Sequence, residues 1–244
     1  MIRRLGEGEP LPVLPPSHAA RRIAALFEAY GTAYPFCVFY VVDGGMAVRL
    51  DDACILSGTG RTELDELAML VSAEGVRTVS ASPCIGRRLA VLLGEDWSVR
   101  QPLRFRYAGG DSAVVPLRED MPLSRAWELI QEGFGLSPSG WEAWYLDMSH
   151  RIRHGVSHLY SLEDAATLTV QYDREGTVFF SQIATAREKQ GQGLATALVR
   201  ATAARYALGG KRVTLHAREE LLAFYRGCGF LPFGQYCEIQ RNRI

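Results

Sequence analysis

Hydrophobic positions along the chain alternate between helical and strand spacing. After prolines at 10, 12, 15 and 16, Ser17 precedes HAARRIAALFEAYG, whose apolar residues recur with a helical period as far as Gly31; Ser17 is read as the N-cap. PFCVFYVV (35–42) reads as a strand closed by the Asp43-Gly44-Gly45 turn, and MAVRLDDACILSG (46–58) as one strand or a short hairpin. The pattern then gives a helix over 63–75 behind Thr62, a short strand at 77–81, a helix over 83–94, and one or two strands over 97–109.

Ala108-Gly109-Gly110-Asp111-Ser112 interrupts this series, and a fresh helical pattern starts at PLSRAWELIQEGF (122–134). Part of 138–150 is helical in pattern, GVSHLYSLE and ATLTVQY are strand-like, and TVFFSQIATA (177–186) is a strongly apolar strand. A helix over 190–210, a strand at 212–217, a helix over 218–229 and a final strand at 233–241 complete the reading. The expectation is two mixed α/β domains, 1–112 and 113–244.

Length agrees with that division, because 244 residues suit two domains of about 100 to 150 residues. Lys plus Arg and Asp plus Glu are each 27, and the two expected domains are each near neutral. A protein that grips polyphosphate backbones carries a basic excess, so nucleic acid is not the expected partner. Five cysteines at wide, irregular spacing give neither a disulfide framework nor a zinc pattern, so no metal is expected. MIRRLGEGEPLPVLPP lacks the apolar run of a signal peptide, and no stretch approaches a membrane span. The expectation is a cytoplasmic protein without a membrane partner; a twofold dimer is the default for a soluble enzyme.

Candidate chemistry concentrates where strand 177–186 meets the following helix. Gly191 and Gly193 stand at that junction, where the first-turn amides of a helix lack intrahelical partners and favour an anion such as a phosphate or pyrophosphate. Arg187 and Lys189 would add charge at the rim. GQGLA is too short for the dinucleotide fingerprint, and the GK[ST] of a Walker loop is missing. Two glycines could also simply form a tight turn.

Gln190-Gly191-Gln192-Gly193-Leu194-Ala195 fits [RQ]-x-x-G-x-[GA] once the strand has ended, and Phe224-Tyr225-Arg226-Gly227-Cys228-Gly229-Phe230 fits the Tyr-x-x-x-Gly-Phe segment that follows the next strand. In these motifs, their order and their spacing, residues 170–233 resemble the GNAT superfamily of acyl-CoA-dependent N-acyltransferases. The resemblance implies an α/β GNAT-like fold for the second half and an N-acetyltransferase that moves an acetyl group from acetyl-CoA to a primary amine, on a small molecule or a peptide, by direct attack. It implies that the loop and helix start carrying Gln190, Gly191, Gln192, Gly193, Leu194, Ala195 and Thr196 hold the pyrophosphate. Ile183, Ala184 and Thr185 would pair with the pantetheine arm in a splayed gap before strand 212–217, and Tyr225 would be the general acid toward the leaving thiolate. Many relatives carry Asn seven residues before that tyrosine; Arg218 stands there and could reach a phosphate instead.

No general base stands out among Glu142, His158, Glu163, Asp164 and His216, and Trp141, Trp144 and Tyr145 fit either an acceptor wall or the core. Residues 1–112 have no matching glycine motif; their layout resembles a degenerate copy of the same fold, serving to pack or to shape substrate, although another small α/β fold fits as well. The alternative to an enzyme is a non-catalytic acyl-CoA-binding or regulatory module.

Overall fold

The computed structural model describes residues 1–58, 64–110 and 115–242. The expected boundary at 112, Thr62 and the first residue of the 63–75 helix lie outside the described residues. The chain contacts divide into two compact units, Met1–Leu103 with Gln235–Ile244, and Arg104–Gly234. Both are mixed α/β.

In the first unit, β1 (Arg3–Arg4) and α1 (His18–Tyr30) precede the antiparallel meander β2 (Cys37–Val42), β3 (Gly45–Leu50) and β4 (Ala53–Gly58). The Ser17 hydroxyl accepts a hydrogen bond from the Ala20 amide at 3.0 Å, as its N-cap reading requires. Helix α1 buries Ile23 and Leu26, and Phe27 meets Phe39 of β2 edge to face at 5.4 Å. Next come α2 (Leu64–Ala73), β5 (Thr78–Ala81), α3 (Pro83–Leu93) and β6 (Trp97–Arg100), with β5 parallel to β4. Leu67, Val71, Ile85 and Leu89 of the two helices share a core with Val38, Tyr40, Val79 and Ile239.

The second unit starts with β7 (Leu103–Tyr107), α4 (Leu123–Phe134) and α5 (Trp141–Arg153), then the antiparallel strands β8 (His158–Leu162), β9 (Ala166–Arg174) and β10 (Thr177–Thr185). After α6 (Leu194–Leu208) the parallel strand β11 (Arg212–Ala217) follows, then α7 (Leu222–Gly227) and β12 (Phe230–Gln235). Strand β13 (Cys237–Arg241) follows and belongs to the first unit.

The sheet orders are β1-β2-β3-β4-β5-β13-β6 and β12-β7-β11-β10-β9-β8. One plan therefore occurs twice: a three-stranded meander, a helix, a parallel strand, a helix and an edge strand. In each sheet, the strand between the parallel strand and that edge strand comes from the other half of the sequence. This exchange decides one reading, left open as one or two strands, and corrects another. The run 97–109 is two strands in different sheets, and 233–241 is not one final strand, because β12 ends in the second sheet and β13 pairs with β5 and β6 in the first. Hydrophobic alternation records that a segment is extended and half buried but not which sheet accepts it. Gly86 of α3 lies so close to β13 that a Cβ there would collide with Cys237 Sγ.

Candidate functional site

Parallel pairing of β10 with β11 runs from Thr177 opposite Arg212 to Phe180 opposite Leu215 and goes no further, although both strands continue. The last part of β10 is thus left without its β11 ladder. On its other side β10 pairs with β9, but the register shifts between Ser181 and Ala184, where Gln182 and Ile183 oppose Leu168 alone. Gln182 adopts φ 48° and its side-chain oxygen accepts from the Thr169 hydroxyl at 3.1 Å. A bulge of this kind turns backbone groups out of the ladder. Ile183, Ala184 and Thr185 lie on this segment, with Ala184 and Thr185 paired to Thr167 and Ala166.

A single turn over residues 187–189 follows, and the Gln190 amide side chain donates back to the Thr185 carbonyl at 3.3 Å, tying loop to strand end. Gln192 similarly donates to the Glu188 carbonyl at 3.2 Å. Gly191 and Gly193 take φ 77° and 83°, which glycine adopts without strain, and nothing lies within 4 Å of where a Cβ would stand on either. The glycines therefore answer to backbone conformation, and the space beside them is open. Gly193 caps α6, no side chain caps its amides, and no acid stands in the first turn. Leu194 is buried, anchoring the helix start, while Ala195 and Thr196 are half-buried. Arg187 and Lys189 are exposed, and the Arg187 amide donates to Glu132 of α4 at 3.3 Å.

Because β10 and β11 are parallel, Arg218, which follows β11 and is exposed, lies at the same end of the sheet as this loop. The expected helix over 218–229 is shorter: a turn at 219–221, then α7. Tyr225 on α7 is 6% exposed, against Phe105 at 5.3 Å, Phe224 at 5.0 Å and Phe230 at 6.2 Å between ring centres. Burial pushes its phenol above the ordinary range, and the neighbouring Cys228 adds to the effect.

Two contacts that the sequence did not reveal hold α7 in place. Arg200 of α6 donates from Nη2 and Nε to the Gly227 carbonyl at 2.6 and 3.1 Å, and the Thr196 hydroxyl bonds Cys228. The helix carrying the loop thus fixes the helix carrying Tyr225. An arginine on a helix gives no sequence signal for such a bond.

Of the residues considered as general bases, Asp164 accepts from Arg118 at 3.2 Å, and His216 meets the Phe179 ring at 4.9 Å. Glu163 lies with Asp164 in the β8–β9 turn, His158 opens β8, and Glu142 is exposed on the first turn of α5. None of these observations singles out one of them. Trp141 and Trp144 pack on buried Trp127 at 6.3 and 5.4 Å, while Tyr145 stays 42% exposed. Among the described residues no group of three or more His, Cys, Asp and Glu could hold a metal ion, and no helix is long and apolar enough to cross a membrane.

The family model of the acetyltransferase (GNAT) domain matches residues 137–241, from the turn before α5 through β13. Over these residues the chain is GNAT-like. The GNAT range includes the bulged strand, the glycine loop and Tyr225. Among solved structures, a GNAT-family acetyltransferase from Colwellia psychrerythraea is 14% identical at TM-score 0.55, covering 99% of this chain and 100% of its own. A GCN5-related N-acetyltransferase from Sphaerobacter thermophilus is 16% identical at TM-score 0.59, over 93% of this chain and 92% of that one. A tandem GNAT protein from the clavulanic acid biosynthesis pathway is 14% identical at TM-score 0.57, over 96% and 90%. At these identities the likeness is one of fold, and it extends over both halves, as the repeated GNAT-like plan does. No curated protein matches the sequence.

Proposed function

We propose that the chain is an N-acyltransferase that moves an acetyl group from acetyl-CoA to a primary amine. The observation that carries this reading is the glycine-led, uncapped and acid-free start of α6, set at the end of a strand whose ladder to β11 has stopped. Unpaired helix amides and open space beside two glycines fit a pyrophosphate. Exposed Arg187 and Lys189 add cations, and Arg218 lies at the same sheet end. The free side of β10 fits an extended amide-bearing arm as an added strand, along Ile183, Ala184 and Thr185.

Acetyl-CoA supplies the acyl thioester. The chain's part is to hold it with amides of residues 191–196, to offer a backbone N–H of the bulged strand to the carbonyl oxygen, and to orient the amine. Attack by the neutral amine nitrogen forms the amide bond and breaks the carbon–sulfur bond. The proton shed by nitrogen passes to solvent or a carboxylate; the Tyr225 hydroxyl, kept protonated by burial, donates to sulfur so that CoA leaves as the thiol, and the phenol takes a proton back from solvent. The acceptor is an amine on a small molecule or peptide, and the setting is cytoplasmic.

A second reading, an acyl-CoA-binding module without turnover, is favoured by the enclosure of Tyr225 among phenylalanines and by Arg218 in place of asparagine. Calorimetric titration with acetyl-CoA, followed by thiol release in the presence of a panel of amines, separates the two. Binding with amine-stimulated release supports the enzyme; binding with no release by any amine supports the module. Absence of binding refutes both.

A further inference from the structure

A cavity of about 330 Å³ opens at the other end of α6 from the glycine loop. Tyr206 on its wall comes twelve residues after Leu194, about 18 Å along the helix. The cavity is therefore separate from the proposed acetyl-CoA site, and its chemistry stands without that reading. Tyr160 of β8, 2% exposed, also lines it, and its hydroxyl lies 3.1 Å from that of Tyr206. Burial raises both phenols above the ordinary range, so both keep their protons. One hydroxyl proton is spent within the pair; among the described residues nothing accepts the other. His158, on the same face of β8 as Tyr160, lines the cavity too and makes no hydrogen bond from its ring among the described residues.

Charges of both signs surround these groups. Arg205 pairs from Nη1 with Glu119 at 2.8 Å, and its guanidinium lies over the Tyr160 ring at 5.3 Å. Lys211 pairs with Asp173 and lies over the Tyr206 ring at 5.7 Å. All four line the cavity, so two cations face two anions and the wall is neutral with His158 uncharged. Neither pair exhausts its partners. Among the described residues the Nε–Nη2 edge of Arg205 is unused, Lys211 keeps two ammonium protons, and Glu119 and Asp173 each keep one oxygen.

We propose that this cavity is a second small-molecule site and that its ligand is a free α-amino acid bound as the zwitterion. The ligand carboxylate accepts from the Nε–Nη2 edge of Arg205, a fork that matches it in a bidentate pair, and from the spare tyrosine hydroxyl. The ligand ammonium donates to the remaining oxygens of Glu119 and Asp173. A ligand of single charge would satisfy one sign of the wall and face its like in the other, whereas a zwitterion complements both. The volume lies at the small end of the ligand-pocket range, about 300–1,000 Å³, which suits a molecule of this size. Arg205 and Glu119 are about half exposed, so sharing their charges with a ligand costs the fold little.

Isothermal titration of the full chain with each of the common amino acids, in the absence of acetyl-CoA, tests this, with acetate and methylamine as single-charge probes at matched ionic strength. At least one amino acid is expected to bind with Kd below about 1 mM, and both probes at least about tenfold more weakly. Arg205→Gln and Tyr206→Phe should each raise that constant at least about tenfold. The ion pair of Arg205 is exposed, so Arg205→Gln should leave the unfolding midpoint in place. Tyr206→Phe keeps the ring and removes only the hydroxyl, which keeps the test usable if the first variant folds poorly. Absence of any amino acid binding below about 1 mM overturns the proposal. So does binding that survives both substitutions, which places the amino acid elsewhere, for example as an acceptor beside acetyl-CoA, and so does a single-charge probe that binds as tightly.

Discussion

Replacing Gly193 by alanine and, separately, by aspartate isolates the electrostatic part of the α6 site. Gly193 has φ 83° and open space around a would-be Cβ, so neither side chain clashes, and the backbone penalty is the same in kind for both. A non-glycine residue in the left-handed region costs about 1–2 kcal/mol. The unfolding midpoint should therefore fall by several degrees in Gly193→Ala, and by no more in Gly193→Asp, where a carboxylate at a helix start is favourable. Acetyl-CoA binding should move the other way. A carboxylate about 5 Å from a phosphate charge, at an effective dielectric of about 20, is repelled by about 3 kcal/mol. Exposure and salt reduce that, leaving about 1–2 kcal/mol, or about 5- to 30-fold in affinity between the two variants. Isothermal titration of both, at low and at physiological salt, measures the ratio, which should shrink as salt rises. Equal affinities in two folded variants would refute the reasoning, because an anion at this helix start must sense the added charge.

Tyr225→Phe keeps the aromatic packing, so folding should be unchanged while kcat falls at least about 100-fold and KM for acetyl-CoA stays constant; an unaltered kcat assigns the ring to packing alone. Since burial raises the Tyr225 phenol above 10.0 and the proposed role uses its protonated form, wild-type kcat should show no alkaline loss from this group below that pH; a fall near neutrality that Tyr225→Phe removes would contradict it. Glu238 on β13 is pushed above the ordinary carboxylate range by burial, with Arg22 and Arg100 opposing. Its ionisation therefore costs folding, and that cost appears as pH rises from the unfolded value through the folded one. Glu238→Gln should raise the thermal midpoint at neutral pH and have little effect below pH about 4, where the glutamate is protonated in both states; a variant less stable at neutral pH contradicts this. Gly86→Ala, against Cys237, should cost about 1–3 kcal/mol by overpacking α3 on β13, visible as a lower urea midpoint.

Most of the second half was legible because its signals are local. The 3.6-residue period marked α4 and α6, the apolar run marked β10, and the two glycines marked the helix start, since each reports the conformation of its own segment. The features that turn those segments into a site are not local. The Gln182 bulge depends on register with β9, the end of the β10–β11 ladder on the divergence of two strands, and the Arg200 bond to Gly227 on the docking of α7. Nothing in TVFFSQIATA distinguishes a bulged strand from a straight one. The same limit hid the partners of β7 and β13. Their sequences satisfy either sheet, and the choice is made by tertiary contacts such as Gly86 with Cys237.

The exchanged strands also set the order in which the chain can be completed during synthesis. Domains usually finish from the N-terminus onward, each as its last residues emerge. Here Arg104–Gly234 is continuous in sequence and can close as soon as β12 is made, whereas the unit begun by Met1 lacks the strand that joins β5 to β6 until Cys237–Arg241 leave the ribosome. Met1–Leu103 is therefore made before Arg104–Gly234 but finished after it. Until then β6, which meets its sheet only through β13, has neither edge satisfied, and Trp97 and Val99 are available to any chaperone or neighbouring nascent chain.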